Sequence, residues 1–375
     1  MLNGINLGLM IGPAVPVPVS QDVIDALTSV EVTARSEGAS MFQLTFKIDK
    51  NSPLLTLFLL AGGASIPLVR VVIYVTIAGS TEVLMDGVMT DHQLAPGTSG
   101  STATLTITGE DLTRVMDYID FTGIPYPAMP PEARVLLILA KYLIFGIVPI
   151  VIPSILLDVP IPIDRIPRHE GKDLGYVKGL ADDVGYVFYL EPGPSPGASI
   201  AYWGPEIRVG TAQPALNVDM DAYTNVDAVN FGWDNDHKEL PILLIMNPIV
   251  KVPIPIPIPD ITPLSPPLGA IPPFPKKIDW LTGTAKLSPI QAALIGIAKA
   301  SKTADAASAK GTVDVLRYGQ VLKPRRLVGL RGVGTAFDGL YYIKSVTNTI
   351  RRGEYKQSFT AVRNGLVSTV NTVPV

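Results

Sequence analysis

Apolar residues recur at every second position through long stretches of this chain. Val30, Val32 and Ala34 alternate with polar neighbours. After a turn over Ser36–Ser40, so do Phe42, Leu44, Phe46 and Ile48. Successive side chains of a strand face opposite sides, so this pattern predicts two strands with one buried face each. Val69, Val71, Ile73, Val75 and Ile77 predict a third strand, and Gly79-Ser80 turns it into a fourth over Glu82–Met89. In 102–108 threonine alternates with Ala103, Leu105 and Ile107, which suits a half-buried antiparallel strand. The period then changes. Leu112, Val115, Met116 and Ile119 fall at helical spacing and predict a short amphipathic helix that closes a small barrel.

A second unit mixes the two periods. Pro130 and Pro131 can open a helix over 132–145, because proline is tolerated in a first turn. Leu174, Val177, Leu180, Ala181 and Val184 mark a helical face over 172–184, which Gly185 stops. Short strands are predicted at 186–190, 199–203 and 206–209. A third unit begins near Leu216. Within it, 251–277 alternates proline with aliphatic residues. Proline cannot donate to a ladder, so this segment is expected to be extended, polyproline-like and outside any central strand. It is expected to pack at a barrel rim against a neighbouring subunit or partner, with a strap over its own domain as the alternative. An alanine-rich helix is predicted at 289–309, bounded by Gly311. Strands follow at 312–318, 325–332, 339–350 and 355–363, the last two joined by a turn at Arg351–Glu354. The expected organisation is a β-barrel over 1–125, an α+β module over 126–215, and a second β-barrel over 216–375 carrying a proline-rich and helical insertion at 240–311. The two barrels amount to a coarse internal duplication.

The closing hairpin carries a pattern: Gly339-x-Tyr341 with Val346, then Gly353-x-Tyr355 with Phe359 and Arg363. Other short matches precede it in a consistent order. They are Leu84-Met85-Asp86-Gly87-Val88, Gly109-Glu110-Asp111-Leu112, the segment Tyr176–Tyr189, Trp203-Gly204-Pro205-Glu206, and Phe231-Gly232-Trp233-Asp234. Together they resemble the baseplate hub family, which includes the late control D proteins of contractile phages and the hub half of VgrG-like proteins. The resemblance implies a mainly β fold in which two tube-protein-like antiparallel barrels flank a small α+β module. It further implies a homotrimer that adapts a hexameric inner tail tube to a trimeric spike, assembled in the cytoplasm into a contractile particle alongside other baseplate components. The sequence stops soon after the hairpin, so the spike is expected to be a separate chain.

Composition narrows the chemistry. A chain of 375 residues, 47% hydrophobic and 17% charged, is long enough for several cores and too apolar for general disorder. A net charge of −3 gives no global case for nucleic acid. The basic run Lys323-Pro324-Arg325-Arg326 with Arg331 reads as a solvated strand end. With no cysteine there is no disulfide or thiolate metal site, and the first residues lack the basic region of a secretory leader. Residues 135–157 are long enough to span a bilayer, but Lys141, Gly146, Pro149 and Pro153 interrupt them. They read as a buried helix followed by an extended segment, without stable membrane insertion. The alternatives are a membrane-anchored β-rich binding protein that uses 135–157 as a span, and a cell-wall hydrolase.

No catalytic, cofactor or metal residue is nominated. Asp91-His92 reads as a surface loop. The run Arg168-His169-Glu170-Gly171-Lys172 reads as the approach to a helix cap. Asp234, Asp236, His237 and Glu239 form the most metal-like cluster, but they lack the spacing of a calcium loop. Gly329, Gly332 and Gly334 lack the lysine and the following helix of a phosphate loop and read as a barrel turn.

Overall fold

The alternating segments become strands in the computed structural model. It describes residues 4–49, 52, 54, 68–97, 102–154, 160–163, 166–246, 253–282 and 289–370. The first half contributes β1 (Ile5–Gly12), β2 (Val17–Pro18), β3 (Leu27–Arg35), β4 (Met41–Ile48), β5 (Arg70–Ile77), β6 (Ser80–Ala95) and β7 (Ala103–Asp111). In space they run β3-β4-β7-β6-β5-β1-β2, every neighbour antiparallel. The alternating aliphatics point to one side and meet in a single core that includes Val32, Leu44, Phe46, Val71, Ile73 and Ile107. The short helix Gln21–Ala26 adds Val23 to that core.

The middle module holds the helix Pro131–Ala140, β8 (Ile147–Val151), the helix Asp173–Asp182, β9 (Val187–Pro192) and β10 (Ser199–Gly204). Its sheet runs β8-β10-β9, with β8 parallel and β9 antiparallel to β10. Trp203 is fully buried in its core, and the indole N–H donates to the Val177 carbonyl at 3.3 Å.

The second half contributes β11 (Gln213–Asn217), β12 (Val226–Trp233), β13 (Glu239–Met246), β14 (Pro253–Pro257), β15 (Gly269–Ile271), β16 (Lys277–Trp280), β17 (Ala307–Asp314), β18 (Leu327–Arg331), β19 (Gly339–Arg351), β20 (Glu354–Arg363) and β21 (Leu366–Ser368). Its principal strands run β12-β17-β20-β19-β18-β11. The insertion makes a separate small sheet, β14-β13-β16, under the helix Pro289–Thr303, with Leu243, Ile258, Leu281 and Ala292 at its core. β14 lies at the edge of that sheet, as its prolines require, and Ile254 and Ile256 remain exposed.

The chain is mainly β with a small α+β module, as expected. The two barrels, however, are not separate sheets. β3 pairs antiparallel with β19, and both halves join in one 13-stranded sheet. If the six principal strands of each half are numbered in chain order, both halves have the spatial order 1-4-5-6-3-2. The duplication is therefore topological. It has one departure: the first strand is antiparallel to the fourth in the first half (β1–β5) and parallel in the second (β11–β18).

Several expectations need correction. β6 runs on to Ala95, so Asp91 and His92 lie in a strand and not in a loop. Its last residues are solvent-facing on a sheet edge, which makes a strand look like a polar loop. Leu112–Asp117 is a 3-10 turn capped by Asp111, and Ile119 is exposed. The expected helix over 132–145 ends at Ala140, because Gly146 takes a left-handed backbone (φ 68°) and turns the chain into β8. Residues 155–157 of the apolar run lie outside the described residues, and among those described no helix is long and apolar enough to cross a membrane. Residues 206–209 form no strand, since Arg208 turns inward to a buried ion pair with Asp305 at 2.6 Å. The alanine-rich helix stops at Thr303, and Ala307 and Ala309 belong to β17. Gly311 is not a helix stop. It sits inside β17, where a Cβ would come within 2.5 Å of the Ala228 carbonyl and 2.8 Å of the Phe359 ring.

Phe46 is fully buried where β4 faces the first core. Phe46→Ala removes a ring that the surrounding strands cannot collapse to replace, and should cost about 3–5 kcal/mol. A urea melt followed by tryptophan fluorescence should show the matching fall in midpoint.

Candidate assembly interface

The seam between the halves is built from Ser29–Arg35 of β3 against Ser345–Arg351 of β19. Thr33 and Thr347 face each other, hydroxyl to hydroxyl, at 3.0 Å. Behind them lies a buried polar network. The Asn348 amide donates to the Val32 carbonyl at 3.3 Å, and its oxygen accepts from Tyr355 Oη and Gln357 Nε2, each at 2.8 Å. Gln357 also holds both the N–H and the C=O of Leu322, at 2.8 and 3.0 Å. A fully satisfied network of this kind fixes one register, because a slip would strand several buried polar groups.

The basic run is not a solvated strand end. Arg325 is buried, stacks 3.9 Å above the Tyr189 ring, and donates to the carbonyls of Arg35 and Ser36. Lys323 pairs with Glu82 at 2.6 Å and Arg326 with Glu191 at 3.2 Å. These cations come from the turn before β18 and reach into the first half and the middle module. Local sequence gave no sign of this, since every partner is distant along the chain.

A second clip fastens the middle module to the first half. Arg70 grips Asp86 through Nε at 2.7 Å and Nη2 at 2.6 Å, in a pair only 2% exposed at Arg70. Its remaining donors reach the carbonyls of Ala14, Phe145 and Gly197 at 2.8, 2.8 and 2.9 Å, and Ser199 Oγ donates to Asp86 at 3.1 Å. Burial pushes the Asp86 carboxyl above its ordinary range, and the Arg70 guanidinium opposes that shift. A cavity of about 280 Å³ lies where the three units meet, lined in part by Glu82, Asp86, Asp111, Glu191, Lys323 and Arg325. Each of these charged groups is already engaged. Asp111 accepts from the Ser40 N–H at 2.6 Å and the Thr113 N–H at 3.0 Å. The arrangement serves joinery and presents no uncommitted acid–base pair.

The other residues singled out in the sequence are dispersed. The run Arg168–Lys172 does lead into a helix, with Lys172 at the N-cap position of Asp173–Asp182, but His169 makes no cap. It is buried, with Tyr126 Oη at 2.9 Å from Nδ1 and Asp173 Oδ1 at 3.4 Å from Nε2. Asp173 takes Tyr142 Oη at 2.6 Å and Lys141 Nζ at 2.5 Å. Asp234 lies 3.9 Å from His237, and Asp236 pairs with Lys276 at 2.7 Å. Among the described residues no cluster of three or more histidines and carboxylates is arranged to hold a metal. Gly332 and Gly334 lie in the turn after β18.

Two sheet edges complete the geometry. β12 ends the large sheet, and Asp91–Ala95 of β6 pair only with β7, so each has one side without a strand partner among the described residues. Leu94 is 47% exposed there.

No family model and no curated protein sequence matches the chain. Solved structures do. A tail protein from Neisseria meningitidis aligns over 97% of this chain and 98% of its own, with a TM-score of 0.62 and 13% identity. The 43 kDa tail protein of prophage MuSo2 from Shewanella oneidensis aligns over 96% and 98%, with a TM-score of 0.59 and 13% identity. An E. coli type VI secretion system component, described as structurally similar to the T4 tail proteins gp27 and gp5, aligns over 93% and 76%, with a TM-score of 0.51 and 13% identity. The chain shares the fold of these tail and secretion-system proteins. At such identities the likeness concerns the fold.

Burial holds the His169 ring below its ordinary pKa of 6.5, against the pull of Asp173 and with the help of Lys141. The unfolded chain then binds the proton more readily than the folded one. Stability from this site is full above about pH 6.5 and is lost as pH falls. The urea midpoint should drop between about pH 7.5 and pH 5.5, and His169→Gln should make that drop smaller.

Proposed function

We propose that this chain is the baseplate hub of a contractile tail or related injection machine. In this reading it adapts a hexameric inner tube to a trimeric spike, as a homotrimer that also contacts other baseplate components. One observation carries the reading. The chain repeats a six-strand topology within itself and joins the two copies edge to edge in one sheet. A threefold assembly of such chains offers six similar units to a sixfold partner, which a chain with one unit cannot do. The tail-protein fold over nearly the whole length supports the same role. So does the engagement of the charged groups around the central cavity in structural contacts.

The expected domain limits, 1–125, 126–215 and 216–375, are part of this proposal. Ile254 and Ile256 of β14, with Phe274 and Trp280 elsewhere in the insertion, are exposed apolar side chains that could contact a baseplate partner. Light scattering on the purified protein, alone and mixed with its spike, should give the mass of three copies. A monomer under every condition would refute the trimer. A peptidoglycan zymogram should remain blank, and clearing would favour a hydrolase.

A further inference from the structure

The first turns of β1 carry backbone groups that point away from their only strand partner. Two hydrogen bonds fix which groups these are. The Val19 N–H donates to the Leu9 carbonyl at 3.1 Å, on the side of β1 away from β5. The Met89 N–H donates to the Val69 carbonyl at 2.9 Å, so Val69 and Val71 bond toward β6, and Arg70 and Val72 toward β1. The register sets Val72 on Met10, Tyr74 on Gly8 and Thr76 on Asn6. Hydrogen-bonded and non-hydrogen-bonded pairs alternate along an antiparallel ladder. Asn6, Gly8 and Met10 therefore bond to β5, and Ile5 and Leu7 send N–H and C=O the other way. β2 meets β1 only at Met10 and Ile11. Among the described residues nothing pairs with the outward groups of Ile5 and Leu7. Ile5 is only 3% exposed, and an unpaired backbone group shielded from water is costly.

The second half fills the matching edge from within. β11, the first of its six strands, is the counterpart of β1. The Asn225 N–H donates to the Asn217 carbonyl at 3.1 Å. The Asn225 side chain accepts from the Asn217 N–H at 2.8 Å and donates to the Ala215 carbonyl at 3.0 Å. No described residue does this for β1.

Beside Ile5 and Leu7 lies a groove of about 670 Å³, bounded across from them by β3 and the end of β19. Its apolar lining includes Ile24, Leu27, Val30 and Ile350, and its cations are Arg351 and Arg352. Both arginines are exposed, and neither has a carboxylate partner among the described residues. Arg352 donates to the Asp25 carbonyl. The Asp25 side chain, the single carboxylate in the lining, already accepts from Gln21 Nε2 at 3.0 Å. β3 has a strand on each side, so the free ladder groups in this groove are those of β1.

We propose that the groove takes an extended segment of a partner protein, which adds to β1 as a strand and alternates apolar with acidic residues. Its main chain pairs with Ile5 and Leu7, as in other strand additions. Side chains of a strand alternate between its faces. One face meets the apolar lining, and the other brings carboxylates to Arg351 and Arg352, where charge-assisted hydrogen bonds form. The proposal does not rest on the hub reading, and either can fail without the other.

Octapeptides selected from a random displayed library against the purified chain should alternate apolar residues with Asp or Glu. Synthesised singly, these peptides are the probe. Binding should slow amide exchange at Ile5 and Leu7. Arg351→Glu should weaken it about tenfold or more, from the loss of a charge-assisted contact. Leu7→Pro deletes an outward donor and spares the ladder to β5, because that N–H does not point there. It should abolish binding. If Leu7→Pro also lowers the urea midpoint, the surface variant Arg351→Glu decides the question alone. Selected peptides without acidic alternation, or equal affinity for Arg351→Glu, would overturn the proposal. So would binding that leaves exchange at Ile5 and Leu7 unchanged.

Discussion

The backbone ladder between β3 and β19 is the contact on which the architecture depends. A sheet edge is a row of unsatisfied donors and acceptors, and it must be paired, covered or blunted. Here the edge of one half is satisfied by the other half of the same chain. That turns two similar sheets into one surface and fixes their relative tilt. Everything placed across the seam, from the paired threonines to the network of Asn348, Tyr355 and Gln357, then has a defined position.

The buried charges complete that joinery. Arg70 with Asp86, and Arg208 with Asp305, are each paired and further hydrogen-bonded or stacked, as burial of charge demands. Such pairs add little net stability compared with a well-packed apolar contact, but an unpaired member is costly. Their value lies in permitting one arrangement of the three units. Under the proposed hub role, load passing between a tube and a spike would call for a fixed arrangement of that kind.

The strands were legible wherever one face is buried, because burial writes a period of two into the sequence. Phe42–Ile48 and the threonine ladder of β7 are the clearest cases. Legibility failed where the pairing rather than the side chain makes the strand. The end of β6 is exposed on both faces, so Asp91 and His92 look like a loop. It failed again where helix-forming residues serve a sheet, as Ala307 and Ala309 do in β17. The joint of the halves left no local trace: Arg325 and its carbonyl partners Arg35 and Ser36 lie almost the whole chain apart. The matching strand order was visible only as a coarse duplication, because topology is preserved while residues are not.

The central claim is that this repetition serves a change of symmetry. A reconstruction of the assembled particle, computed without imposed symmetry, tests it most directly. The account requires three copies of the chain at the junction of tube and spike, presenting six similar half-sheets as one continuous ring to the tube. Six copies in that layer, or a position away from the tube axis, would contradict it.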